Sequence, residues 1–167
     1  MQLYQQSDAE AASVLIHQLS PQVFRFFLGR VRDRSHAEDL LQDFWLRLHH
    51  ARHTYRAGEP VLPWIYAIAR RVQTDDYRRR SRIAKHELQS DSLPETFAPA
   101  IDHTTPPNMT DLLKHLPAAQ RETVLLLKVA GLSLEEAART MGTSVGAVKQ
   151  KAHRAYKTLR RFFGAEL

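Results

Sequence analysis

The sequence has no cysteine, which excludes disulfides and thiolate metal sites. Long apolar runs are missing as well; nothing approaches the roughly twenty residues needed to cross a bilayer. The N-terminus, MQLYQQSDAEAASVLIHQL, has neither the basic start nor the apolar core of a secretion signal. No direct membrane insertion is expected, and a cytoplasmic location follows. Alternating apolar and polar residues, the mark of half-buried strands, are absent too, so the chain reads as all-α. Acid is in deficit. With 24 Lys and Arg against 18 Asp and Glu, the net charge is +6 and the pI about 9.9, which favours a polyanionic partner. Composition alone does not choose between nucleic acid and an anionic membrane.

Proline is concentrated in one stretch. HELQSDSLPETFAPAIDHTTPPNMT, residues 86–110, holds Pro94, Pro99, Pro106 and Pro107. Its acids Glu87, Asp91, Glu95 and Asp102 face no Lys or Arg. Proline removes backbone donors and forbids continuous helix, so this segment reads as a flexible linker. The expected architecture is two small helical domains, 1–85 and 111–167, on either side of it.

In the C-terminal half, Ser133 and Glu136 of SLEEAARTMG have the spacing of a capping box, which predicts a helix starting at Leu134. Gly142 suits the reversal that ends it, and Ser144 suits the cap of the next helix. Ala138, Gly142 and Val148 then fit a helix-turn-helix: a small residue at the crossing, a turn glycine and a buried anchor. On the second helix, Val148, Ala152, Ala155, Leu159 and Phe162 share one stripe at about 100° per residue. Lys149, Gln150, His153, Arg154, Lys157, Arg160 and Arg161 fall opposite, with Lys151 nearer the stripe's edge. A solvated helix face normally mixes signs; this one carries no acid among its cations, and it suits phosphates and base edges. A membrane-surface helix fits poorly, because the apolar face is claimed by the core of the motif.

In the N-terminal half, SHAEDLLQDFWLRLHH opens with a second capping-box pattern, Ser35 to Glu38. Ala37, Leu40, Leu41, Phe44 and Leu48 form its apolar stripe, while Asp39, Gln42, Asp43 and Leu46 project from the far side. A leucine among acids and amides marks a docking surface. A further helix begins near Pro63, with Val61, Ile65, Ile68 and Val72 inward. Its basic surface includes Arg70, Arg71, Arg78, Arg79, Arg80, Arg82 and Lys85, and Asp75 stands at pairing distance from Arg78 or Arg79. Before it, HTYRAGEP places Tyr55, Arg56 and Gly58 in a loop, a combination suited to an unstacked base. Trp64 is expected to pack under that loop.

These residues resemble the extracytoplasmic-function group of bacterial RNA polymerase sigma factors over nearly the whole chain. AEDLLQDFWLRL resembles the helix that docks on the clamp of core polymerase. PWIYAIARRVQTDDYRRRSR resembles the helix that melts and reads the minus-ten promoter element, and the helix-turn-helix resembles the domain that reads the minus-thirty-five element. The resemblance implies polymerase contacts from Asp39, Gln42, Asp43, Trp45, Leu46 and His49. It implies minus-ten contacts from Tyr55, Arg56, Arg70, Arg71, Arg78 and Arg79, with Asp75 and Arg78 matching the D-x-x-R of the melting helix. Minus-thirty-five contacts would come from Ser144, Lys149, Gln150, Lys151, His153, Arg154 and Lys157. Arg71 stands where the family usually has asparagine. The implied partners are core RNA polymerase, promoter DNA and an anti-sigma factor; no cofactor, metal or catalytic activity is expected.

Two other classes compete. An autonomous helix-turn-helix regulator explains the C-terminal half but leaves the acid-and-leucine face and the second basic helix unemployed. A metal-dependent nuclease would use His49, His50 and His53 of HHARH, with His49 and His53 one helical turn apart, but no carboxylate motif completes such a site.

Overall fold

The computed structural model of the chain describes residues 1–31, 33–89 and 109–163. Among them every regular element is helical. In chain order these are α1 (Gln2–Gln5), α2 (Ala9–Val31), α3 (Arg34–Ala51), a 3₁₀ turn (Arg52–Thr54) and α4 (Val61–Gln89). The second unit has α5 (Met109–Lys114), α6 (Ala118–Val124) running into a π-helical turn (Leu125–Val129), α7 (Leu134–Met141) and α8 (Val145–Phe163). Most of the segment expected to be a linker, with its four prolines, lies outside the described residues.

The first unit forms because three helices each bury one stripe. On α3 the residues at three- and four-residue spacing, Ala37, Leu40, Phe44 and Leu48, are buried. On α4 the same is true of Ile65, Tyr66, Ala69 and Val72. α2 supplies Val23, Phe26 and Phe27. Aromatic rings lock the stripes together edge to face: Phe26 against Phe27 at 5.7 Å and Tyr66 at 5.3 Å, and Phe27 against Phe44 at 6.2 Å. Burial also pushes the Tyr66 hydroxyl up to a pKa of about 12. At 29 residues α4 is about 44 Å long, more than this core can cover. Its first half is core; from Tyr77 onward it stands out as a basic rod with Tyr77 and Ile83 exposed.

α3 starts earlier than its capping-box pattern predicts. The cap is Asp33, whose Oδ1 accepts from the His36 backbone N–H at 2.6 Å, and Glu38 pairs instead with Arg34. Asp33 and Ser35 are both good caps, and the carboxylate two residues upstream wins.

In the second unit the expected signals hold. Ser133 and Glu136 make both bonds of a capping box, Gly142 ends α7 in the left-handed region at φ 63°, and Ser144 accepts from the Ala147 backbone N–H at 3.2 Å. Ala138 and Val148 are buried at the crossing of α7 and α8.

The two units share one continuous core. α2 meets the π-helical turn at Gly29, where an added Cβ would lie 2.7 Å from a Leu125 methyl. α4 packs on α7. The Arg121 guanidinium donates to the backbone oxygens of Leu113, Leu116 and Arg30, so one side chain ties α5, the turn after it and the end of α2. At the same seam Glu122 takes Arg30 and Arg70 on one carboxylate oxygen.

Candidate polymerase and nucleic-acid interfaces

Three surfaces emerge. On the outer side of α3, Asp39, Gln42, Leu46 and His49 form one exposed stripe, with Leu46 58% exposed. Asp43 lies at its edge, half-buried and held by both Nε and Nη2 of Arg47 at 3.1 Å. His49 is anchored by its Nδ1, 3.2 Å from the Tyr4 hydroxyl. Trp45 is turned away: its indole N–H reaches Ser20 on α2 at 3.1 Å, and its ring packs edge-on against Phe44. The stripe is thus a leucine within a polar, net acidic surface, while Trp45 stiffens it from behind.

The second surface joins the loop before α4 to α4 itself. Tyr55 is buried, its hydroxyl donates to the Glu59 backbone oxygen at 2.6 Å, and its ring lies edge-on to Trp64 at 5.5 Å. Gln5 fastens the loop from α1 by donating to the backbone oxygens of Arg52 and Tyr55, both at 2.8 Å. Tyr55 therefore builds the wall of an open cleft of about 380 Å³ rather than presenting a face to solvent. Trp64 packs under the loop, and its N–H reaches Thr54. Arg56 is exposed at the cleft's rim, and Arg139 of α7 closes the far side.

Along α4 the expected basic residues separate. Arg71, Arg78 and Arg79 are exposed. Arg70 points the other way, into the seam, where it donates to Glu122 and to the Thr140 backbone oxygen. Asp75 does not take Arg78 or Arg79: it pairs with Arg47 on α3 at 2.5 Å. The hydrogen bond from Arg47 foremost, with the charges of Arg47, Arg78 and Arg71 behind it, holds the Asp75 carboxyl below its usual range. Its sequence neighbour Asp76, buried, takes Arg79, Arg80 and His36. Neither Asp76 nor Glu122 stood out in the sequence: Arg79 and Arg80 share α4 with Asp76, but the His36 that anchors it lies on α3, and both partners of Glu122 lie in the other unit.

The third surface is the outer face of α8. Lys149, Gln150, His153, Arg154, Lys157, Arg160 and Arg161 are exposed and Lys151 is half-buried, opposite the buried Val148, Ala152 and Ala155. None of these cations enters an ion pair among the described residues. Ser144 is exposed at the helix start, its oxygen already committed to the cap. The side chain of Phe162, expected in the apolar stripe, lies outside the described residues. The histidines of HHARH gather no third ligand: among the described residues no group of three metal-binding side chains forms.

Comparison with known proteins bears on both halves of the chain. Residues 15–83 match the family model for Sigma-70 region 2, and residues 108–159 match Sigma-70 region 4. The chain is 32% identical over 168 residues to RNA polymerase sigma factor CarQ of Myxococcus xanthus, covering 98% of this chain and 95% of that one. It is 33% identical to ECF RNA polymerase sigma factor SigD of Mycobacterium tuberculosis, covering 92% of this chain and 77% of the relative. Among solved structures, the sigma factor RpoE of Bartonella quintana in complex with the anti-sigma factor NepR superposes with a TM-score of 0.74 at 24% identity, covering 93% of this chain and 98% of that one. CnrH in complex with the cytosolic domain of CnrY gives 0.71 at 23%, covering 98% and 94%. Those two likenesses speak to the fold; the curated relatives speak to the family. With region 2 in the helices that carry the acid-and-leucine stripe and region 4 in the helix-turn-helix, the chain belongs to the extracytoplasmic-function sigma factors of RNA polymerase, which direct core enzyme to promoters and initiate transcription.

Proposed function

We propose that the three surfaces divide the work of initiation. The α3 stripe of Asp39, Gln42, Leu46 and His49 docks on core polymerase. The cleft beside Tyr55 and Arg56, with Arg71, Arg78 and Arg79 along α4, receives the opened minus-ten strand. The face of α8 enters the major groove of the minus-thirty-five element, where Lys149, Arg154 and Lys157 meet phosphates and Gln150 and His153 meet base edges. The chain acts in the cytoplasm and contributes no catalytic step of its own; polymerase supplies the chemistry. An anti-sigma factor holds it inactive, a reading supported by the partners named for the RpoE and CnrH structures. The observation that carries the proposal is the acid-free cationic face of α8 on a capped helix-turn-helix, in one chain with a separate polar and leucine-bearing face.

Run-off transcription with core polymerase tests it. Wild type should direct initiation at discrete sites. The Asp39→Lys/Leu46→Ala variant, altered only at exposed positions, should lose core binding while its thermal melt is unchanged. Footprints on promoter DNA obtained without polymerase would favour an autonomous regulator, and undiminished core binding by the variant would take the docking role away from the α3 stripe.

A further inference from the structure

Asp76 is the most deeply buried acid among the described residues, at 6% exposure, yet it sits in the basic half of α4. Its carboxylate has three partners. Oδ2 is 2.7 Å from Nε2 of His36 on α3, Oδ1 accepts from Nη2 of Arg79 at 2.9 Å, and Nε of Arg80 lies 3.3 Å from Oδ2. His36 is itself fixed, its side chain 13% exposed and its backbone N–H capped by Asp33. The carboxylate is therefore anchored to the neighbouring helix and cannot swing with the arginines.

The two arginines are the reverse: their side chains are 70% and 56% exposed. Asp76 occupies one edge of each guanidinium and leaves most of its five N–H donors open to solvent. Free arginine side chains lose rotamer freedom when they meet a ligand; side chains already held lose less. A buried acid that only neutralised charge would not need two exposed arginines and a histidine tether.

We infer that Asp76, tethered by His36, is a positioning residue that holds Arg79 and Arg80 as a paired phosphate clamp for the unpaired promoter strand. The inference rests on the proposed role of α4 in strand capture and adds to it the residues that set its geometry. Asp76 itself touches no nucleic acid.

The test uses holoenzyme reconstituted with core polymerase. Its probe is an oligonucleotide carrying the non-template minus-ten strand of a promoter mapped by run-off transcription. Asp76→Asn should weaken capture about tenfold, the lower end for removal of a charge-assisted hydrogen bond. It should also reduce the salt slope by about 0.7 for each phosphate of the single strand that is no longer neutralised. Binding to core and to a minus-thirty-five duplex should not change. Arg79→Gln/Arg80→Gln should weaken capture at least as much, and adding Asp76→Asn to that pair should cost nothing further. His36→Gln, which keeps the acid and both arginines, should reproduce part of the loss and serves in place of Asp76→Asn should that variant fail to assemble. Capture that is unchanged or strengthened in Asp76→Asn, or a loss that adds in full to that of the arginine pair, would overturn the assignment, as would unchanged capture by His36→Gln. A wild-type holoenzyme that captures no strand would overturn the promoter reading along with it; undiminished capture by the variants alone overturns only the role of Asp76.

Discussion

Asp75 and Asp76 are consecutive, yet their environments differ enough to be separated by pH. Burial pushes the Asp76 carboxyl up, but hydrogen bonds from Arg79 and His36, with the charges of His36 and Arg80, outweigh it and hold the group below its usual 3.8. Near the ordinary carboxylate pH the folded chain therefore binds fewer protons than the unfolded one, so stability rises with pH there. The contribution of Asp76 is complete above about pH 4 and is lost as pH falls through its folded value. Asp75 shifts in the same direction, but its ion pair with Arg47 is some two-fifths exposed and solvent screens it. Thermal midpoints measured from pH 6 down to pH 3 should fall more steeply for wild type than for Asp76→Asn below pH 4. Parallel curves would mean that Asp76 makes no differential contribution. The same residue pair shows where sequence reading stops: Asp75 was expected to choose Arg78 or Arg79 by helical spacing, but a cation on α3 reaches it first.

At the scale of elements, Gly29 is the tightest point. It is helical and buried, and the backbone of α2 there rests against the fully buried Leu125 and Leu113. Alanine would favour the helix by about 1 kcal/mol. Against this, its Cβ would drive into a methyl of Leu125 that has nowhere to go, at about 1–3 kcal/mol. Overpacking wins, so Gly29→Ala should lower stability by about 1 kcal/mol in urea melts; a stabilised variant would show that Leu125 repacks freely. Helices were the most legible feature of the sequence because their signals are local. The stripes of α3 and α8, the capping box at Ser133, the turn at Gly142 and the placement of Trp64 all follow from spacing and cap chemistry within a few residues. What was misread had a competitor, near or far, that spacing does not rank. The α3 cap went to Asp33, Trp45 turned to Ser20 on α2, and Tyr55 was drawn under its own loop by Glu59 and Trp64. On the outer stripe of α3, Asp39, Gln42 and Leu46 were readable because periodicity alone sends them outward, while His49 was named only through the family resemblance.

Across the whole molecule, the seam between the units engages one cation that the family resemblance assigns to the promoter strand and another that lines the candidate cleft. Arg70 is expected on the minus-ten strand but donates to Glu122 and to the Thr140 backbone, and Arg139 of the helix-turn-helix unit lines the cleft beside Tyr55. Parting the units would widen that cleft and free Arg70 for the strand. The energetics allow it. Glu122, Arg30 and Arg70 are largely buried, with side-chain exposures of 12%, 14% and 28%. Burial lowers the Arg30 pKa even though Glu122 opposes the shift, so desolvation is only partly repaid. A buried ionic cluster of this kind contributes little net stability while intact, and breaking it by removing one partner is costly. In Glu122→Gln two guanidinia would face each other with no anion between them. Parting the seam returns both to water, whereas keeping it closed leaves both desolvated without an anion. The variant should therefore open rather than melt. Small-angle scattering should give a radius of gyration several ångström above that of wild type, for which a compact chain of this length gives about 15 Å. Far-ultraviolet circular dichroism should be unchanged, and binding of the minus-ten strand by holoenzyme should be no weaker than in wild type. An unaltered radius would mean that apolar packing around Gly29 and Leu125 holds the seam by itself, and a loss of helix would mean that the units do not stand apart from one another.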